Sequence, residues 1–172
     1  VSTDSSVPPK DMYGKAPMAM KLSTIDQNQS SGELSVTALK NINMAGIHGL
    51  WIPCAGSLSP WNTHLGSEEY EPDARCLETN TCADLYGKDS YMAALTSMNT
   101  YFGDATTAKA YNYGVLPEVT VKADGSTTVV AHRATGRISR ELMQVMPDNR
   151  TAYQGDDGTY TVMTMFVADK AG

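Results

Sequence analysis

Long hydrophobic runs are missing from this sequence. The longest apolar stretch, around Met44 to Ala55, is interrupted by His48 and Pro53 and is too short to span a bilayer. Positive charge is in deficit: 13 Lys and Arg stand against 19 Asp and Glu, a net charge of -6. That balance removes the electrostatic case for nucleic acid or an anionic membrane surface, and suits cations better. No Gly-rich loop ends in Gly-Lys-Ser/Thr, no His-Glu-x-x-His occurs, and no nucleophile elbow is present. His48, His64 and His132 are available for serine hydrolysis, but no serine context singles out a nucleophile. The full EF-hand pattern is also absent. Gly and Pro number 14 and 8, too few to argue for disorder.

What remains is ordinary globular material. Hydrophobic residues make up 41% and charged residues 19% of 172 residues. This is enough for one domain with a real core, or for part of a larger one. The chain opens on Val and carries no recognisable signal peptide, so a processed or trimmed start is expected. Three cysteines occur. Cys76 and Cys82 bracket a short polar loop whose spacing suits a local disulfide, as in an exported protein; free or metal-bound thiols are the alternative. Cys54 is then left over, and alone it reads as a small buried hydrophobe. Asn28-Gln29-Ser30 and Asn149-Arg150-Thr151 match the glycosylation pattern, which is too common to decide anything.

Strand signals dominate the organisation. Residues 1–33 read as an extended Ser/Pro-rich arm and a first strand, Met18 to Ile25, closed by a polar turn. Residues 34–172 form the main unit. Leu34 to Ile42 alternates partly, as a second strand would. Residues 43–70 hold four glycines, two prolines and both tryptophans, which suggests an ordered, buried loop. One helix is predicted, capped near Lys88-Asp89-Ser90, with Tyr91, Leu95, Met98 and Phe102 at helical spacing and Gly103 as its stop. From Leu116 onward, short strands follow one another. Glu118–Lys122 and Thr127–His132 flank a hairpin at Asp124-Gly125, then come Ile138–Met146, Arg150–Gln154 and Tyr160–Ala168. The pitch implies an all-β sandwich, barrel or propeller, and spacing does not choose among them. The ten methionines are expected to fill core gaps. Met163–Ala168 is a strong closing strand whose edge needs a cover, so the rest of the fold is expected on another chain or missing.

Three constellations could carry chemistry. Cys54, the stiff Ser59-Pro60-Trp61 turn, and Glu68-Glu69 would bring a soft thiolate and hard oxygens together. Such mixed donors fit iron or zinc beside calcium. The structural alternative is a solvated glutamate pair and a buried cysteine. The second is His132 to Glu141, where Arg137 could contact phosphate or simply pair across a strand with Glu141. The third is Gly155-Asp156-Asp157-Gly158, a plain turn or a cation loop.

In order, these constellations resemble the PhoX-type secreted alkaline phosphatases. Cys54-Ala55-Gly56, Pro60-Trp61-Asn62-Thr63 and Glu68-Glu69 match that family's Cys-Ala-Gly, Pro-Trp-Gly-Thr and Glu-Glu run. Gly136-Arg137 followed by Arg140-Glu141 matches its Gly-Arg and His-Glu pair, and Gly155-Asp156-Asp157 its Gly-Asp-Asp turn. Asn62, Ser67 and Arg140 replace the usual Gly, Cys and His. The resemblance implies an all-β fold that is part of a β-propeller, incomplete on its own, with a short helical insertion at about residues 71–114. It also implies a periplasmic or extracellular phosphomonoesterase acting on phosphate esters at an iron-calcium site. Cys54 would ligate iron. Glu68 or Glu69, Glu141, and Asp156 or Asp157 would hold iron or calcium, and Arg137 would orient or support. The remainder of the propeller would be the partner. A non-enzymatic, calcium-stabilised exported β-protein and a repurposed assembly subunit are the competing readings.

Overall fold

The structure is a computed structural model, and it describes residues 18–81 and 88–171. Nine strands and two α-helices are present among these residues. β1 (Lys21–Gln27) and β2 (Leu34–Asn41) form an antiparallel ribbon that is solvent-exposed for most of its length. Its turn is built by Asn28, whose Oδ1 accepts the Ser30 and Ser31 amides at 2.9 and 3.1 Å. The ribbon's base is anchored where Ile42 N donates to Met20 O at 3.0 Å. Met20 and Leu22 pack there on a cluster of Ile42, Met44, Ile47, Leu50 and Val119.

β3 (Ser57–Leu58), β4 (His64–Leu65), β5 (Leu116–Val121) and β6 (Thr127–His132) make a four-stranded antiparallel sheet in chain order. The Asp124-Gly125 hairpin forms as expected: Gly125 takes φ +75° and Asp124 Oδ1 accepts the Ser126 amide at 2.8 Å. β7 (Arg140–Val145), β8 (Thr151–Asp156) and β9 (Met163–Val167) make a second antiparallel sheet of three strands. Leu65 and Leu116 of the first sheet pack with Met143, Val145 and Ala152 of the second, which fixes the two sheets against each other.

Between β4 and β5 lie α1 (Ala74–Thr79) and α2 (Lys88–Phe102). The pattern predicted α2 but not α1. Six residues carry too little periodicity to register, although Asp73 caps α1 by accepting the Cys76 amide at 2.9 Å. α2 buries Leu95 and Met98 against Trp51, Ala108 and Tyr113. The expected Cys76–Cys82 bridge lies outside the described residues, because Cys82 does.

The all-β expectation holds, with the α-helices of the described residues confined to one connection. The sheets are small and open, and the described residues do not close a propeller. Two local expectations change. Gly155 and Asp156 are not turn residues but the end of β8, paired with Leu142 and Arg140, so the reversal starts at Asp157. The methionines are not uniformly core: Met44, Met98 and Met143 are buried, whereas Met163 and Met165 stand exposed on β9.

Candidate metal centre

The loop from Trp51 to Glu71 turns back on itself, so that Cys54 faces Glu69. Ile52 at φ 34° and Tyr70 at φ 44° flank it in the left-handed region, and Asn62 adopts φ 62° within it. Each such conformation costs about 1–3 kcal/mol and persists only where neighbours overdetermine it. Here Glu69 N donates to Ile52 O at 3.1 Å. Tyr70 N donates to Ser139 Oγ at 2.7 Å, and Trp51 Nε1 donates to Tyr70 O at 2.9 Å. Ser67, fully buried, accepts the Cys54 amide on Oγ at 3.0 Å and so fixes the thiol's backbone.

β7 supplies the third side chain. Its pairing with β8 slips between Arg140 and Leu142, so Glu141 is the extra residue of a β-bulge. A bulge re-aims side chains that strict alternation would separate. Arg140 enters the core while the Glu141 carboxylate meets Cys54, with Sγ 3.6 Å from Oε1. One ligand atom each from Cys54, Glu69 and Glu141 lies within 4.8 Å of the others.

The adjacent glutamates point to different places. Glu68 is 1% exposed, and its two oxygens accept main-chain amides of Trp51 and Val115 at 2.8 and 3.1 Å. Burial pushes its carboxyl up to about 7 against the pull of these donors and Arg140. Glu69 is 6% exposed, and its Oε1 has no hydrogen-bond partner among the described residues. Burial first, then the hydrogen bond and charge of Glu141, push Glu69 up to about 7, and Asp157 adds to the effect. The Cys54 thiol is also raised, first by desolvation and then by Glu69 and Glu141.

A buried carboxylate oxygen without a donor is costly in a folded protein. The Glu69 side chain that carries it sits beside a second carboxylate and a thiol. A cation shared by these groups would cancel the repulsion and favour the thiolate. The donor set of one soft sulfur and two hard oxygens therefore fits a transition metal such as iron.

The other expected residues are placed as follows. Asp157 borders the cluster and accepts the Tyr70 hydroxyl on Oδ2, while its amide donates to Ser139 O at 2.7 Å. Asp156 stays in β8, opposite Arg140, and its charge acts on Glu71. Arg137 turns its guanidinium to main-chain carbonyls: Nε donates to Tyr113 O at 2.7 Å, and an NH2 group donates to Pro72 O and Ala110 O at 3.0 and 3.1 Å. It also lies over the Tyr111 ring, 5.5 Å from the centroid. Two structural alternatives fail. Cys54 is exposed rather than a buried hydrophobe, and both glutamates are buried rather than solvated. Sequence reasoning missed Tyr70 and Ser139, since neither residue type signals a metal site and only the fold joins them.

No helix of the described residues is long and apolar enough to cross a membrane. No curated protein and no solved structure gives a significant match to the chain. A family model, alkaline phosphatase PhoX, matches residues 15–171. That match spans the loop carrying Cys54 and Glu69, the bulge at Glu141 and the turn at Asp157. The chain belongs to the PhoX alkaline phosphatase family.

Proposed function

We propose that this chain supplies the thiolate–carboxylate part of a metal centre that hydrolyses phosphate monoesters in an exported enzyme. One observation carries the reading: Cys54, Glu69 and Glu141 converge, and Glu69 is buried there with one carboxylate oxygen left without a donor. Iron would be held by the Cys54 sulfur with Glu69 and Glu141, and calcium by harder oxygens at the Asp157 side. Bound there, the ions would supply Lewis-acid polarisation of the phosphoryl oxygens and neutralise charge in the transition state. The chain's own residues do the positioning. Ser67 sets the Cys54 backbone, and the bulge aims Glu141. Glu68 is the buried brace beneath, joining the 51 and 115 segments through their amides.

Arg137 acts in this reading as a support. It ties together the carbonyls of residues 72, 110 and 113 and so steadies the chain that leads into β5. The open sheets are read as portions of a propeller. Their apolar outer residues, such as Met163, Met165 and Val167, would be covered by further sheets of the fold.

The test combines metal content with turnover. The protein purified from its native source should contain iron and calcium and hydrolyse a chromogenic phosphate monoester. Cys54→Ser should lose the iron and the hydrolysis together. Calcium without iron, with stability but no turnover depending on it, would instead identify a calcium-stabilised binding module.

A further inference from the structure

Tyr70 is held more firmly than a surface tyrosine needs to be. It adopts φ 44°, which a residue bearing a Cβ seldom does. Both sides of it are tied, its N–H to Ser139 Oγ at 2.7 Å and its carbonyl to Trp51 Nε1 at 2.9 Å. Ser139 has a second role. Its carbonyl accepts the Asp157 amide at 2.7 Å. One residue thus clamps Tyr70 and Asp157 side by side, and the phenol closes the arrangement by donating to Asp157 Oδ2. Neither tyrosine nor serine belongs to the motifs that define the cluster.

The position of Asp157 explains the clamp. Its amide is tied to Ser139, two residues before Glu141, and its carboxylate to Tyr70, next to Glu69, so it borders the three groups without being one of those within 4.8 Å of one another. A free aspartate there would turn toward water, away from its like-charged neighbours. A phenolic donor on one oxygen opposes that rotation and fixes the plane of the carboxylate. Outer-shell donors of this kind orient ligands and raise metal affinity.

We propose that Tyr70 is a positioning residue for the metal centre: its phenol, held by the Ser139 clamp, aims Asp157 as a further oxygen donor beside Cys54, Glu69 and Glu141. The proposal rests on the reading of that cluster as a metal site. It assigns Tyr70 no contact with substrate and no proton transfer.

Cobalt(II), titrated into the metal-free protein, tests it without any turnover. Coordination of the ion by Cys54 would give a sulfur-to-metal absorption band. Tyr70→Phe is expected to weaken cobalt binding about 10-fold, within the range for loss of an outer-shell partner. Asp157→Asn should weaken it at least as much. The double variant should be no weaker than Asp157→Asn alone, since the phenol acts only through that carboxylate. The metal-free thermal midpoint of Tyr70→Phe should match the parent, because both main-chain hydrogen bonds that hold residue 70 remain. Unchanged cobalt affinity in Tyr70→Phe, or losses that add in the double variant, would overturn the proposal while leaving the cluster intact. A parent chain with no such band, or a band that survives Cys54→Ser, would overturn the metal-site reading and this proposal with it.

Discussion

Replacing Glu68 with Gln should be among the most damaging single changes in the chain, although it removes no atom from the core. Both carboxylate oxygens accept buried main-chain amides, from Trp51 at 2.8 Å and Val115 at 3.1 Å. Glutamine can accept on one oxygen only, and its NH2 group would then face an N–H. Losing a hydrogen bond to an ionised group costs about 1.5–3 kcal/mol, and the orphaned amide is buried as well. Arg140, fully buried, also loses a countercharge. Removing one partner of a buried charge arrangement typically costs about 3–5 kcal/mol, and we expect Glu68→Gln to fall in that range. That is a large share of the roughly 5–15 kcal/mol that holds a domain together. Urea unfolding should be followed through the buried Trp51 at alkaline pH, above the value of about 7 to which burial raises Glu68. Glu69→Gln is the internal control. It relieves repulsion at separations up to 4.8 Å, worth about 1 kcal/mol in water and about 3 at an effective dielectric of 20. The metal-free Glu69→Gln protein should therefore be as stable as the parent or more so. Equal stabilities for Glu68→Gln and parent, with a loss of several kcal/mol in Glu69→Gln, would refute the division of labour between the two residues.

Arg140→Lys should destabilise by about 2–4 kcal/mol in thermal unfolding, because a lysine cannot span the fork of the guanidinium. That fork donates to Gln154 Oε1, Thr135 Oγ1 and Gly136 O at 2.9, 3.2 and 3.0 Å. Gly56→Ala should cost about 1–3 kcal/mol by the same measurement. Its new Cβ would lie 2.5 Å from the His64 ring, which can swing away, and 2.9 Å from the Leu65 carbonyl, which is held in β4. Asp148→Asn should flatten the acid limb of the stability profile. The Thr151 hydroxyl, then the Thr151 and Arg150 amides, hold the Asp148 carboxyl down to about 2. A depressed folded-state value stabilises above the ordinary range near 4, and the benefit is lost as pH falls toward 2. Thermal midpoints of parent and variant should therefore differ above about pH 4 and converge near pH 2.

Features that depend on neighbours in sequence were legible. The Asp124-Gly125 turn, the strands flanking it and the periodicity of α2 all follow from local chemistry, and all are present. The motif order was enough to bring Cys54, Glu69, Glu141 and Asp157 into consideration. What could not be read was which member of each acidic pair faces the site. Alternation says that Glu68 and Glu69 point opposite ways, but not which one faces inward. That choice is made by the backbone at Ile52 and Tyr70: the Glu69 amide donates to Ile52 O, and Ser139 and Trp51 hold Tyr70 from distant positions. Glu141 is the same problem on a strand. Without the slip at the bulge, a pattern-based register aims its side chain by alternation alone.

Arg140 shows how the two halves of the site depend on each other. It stands where the family usually has a histidine, and it is buried with Glu68 and Glu71 as the carboxylates that favour its charge. The buried cation nearest the site's scaffold therefore serves the brace and not the cluster. The largest influences on Glu69 are burial, Glu141, Cys54 and Asp157, and no basic side chain is among them. A fold that needed only stability would place an arginine or lysine against such a group. Here neighbouring carboxylates crowd around Glu69 at the mouth of a strained loop, while the protein's own positive charge is committed underneath. A positive charge from outside the chain would relieve that crowding. In the proposed reading a metal ion would supply such a charge in a compact form that also accepts a thiolate.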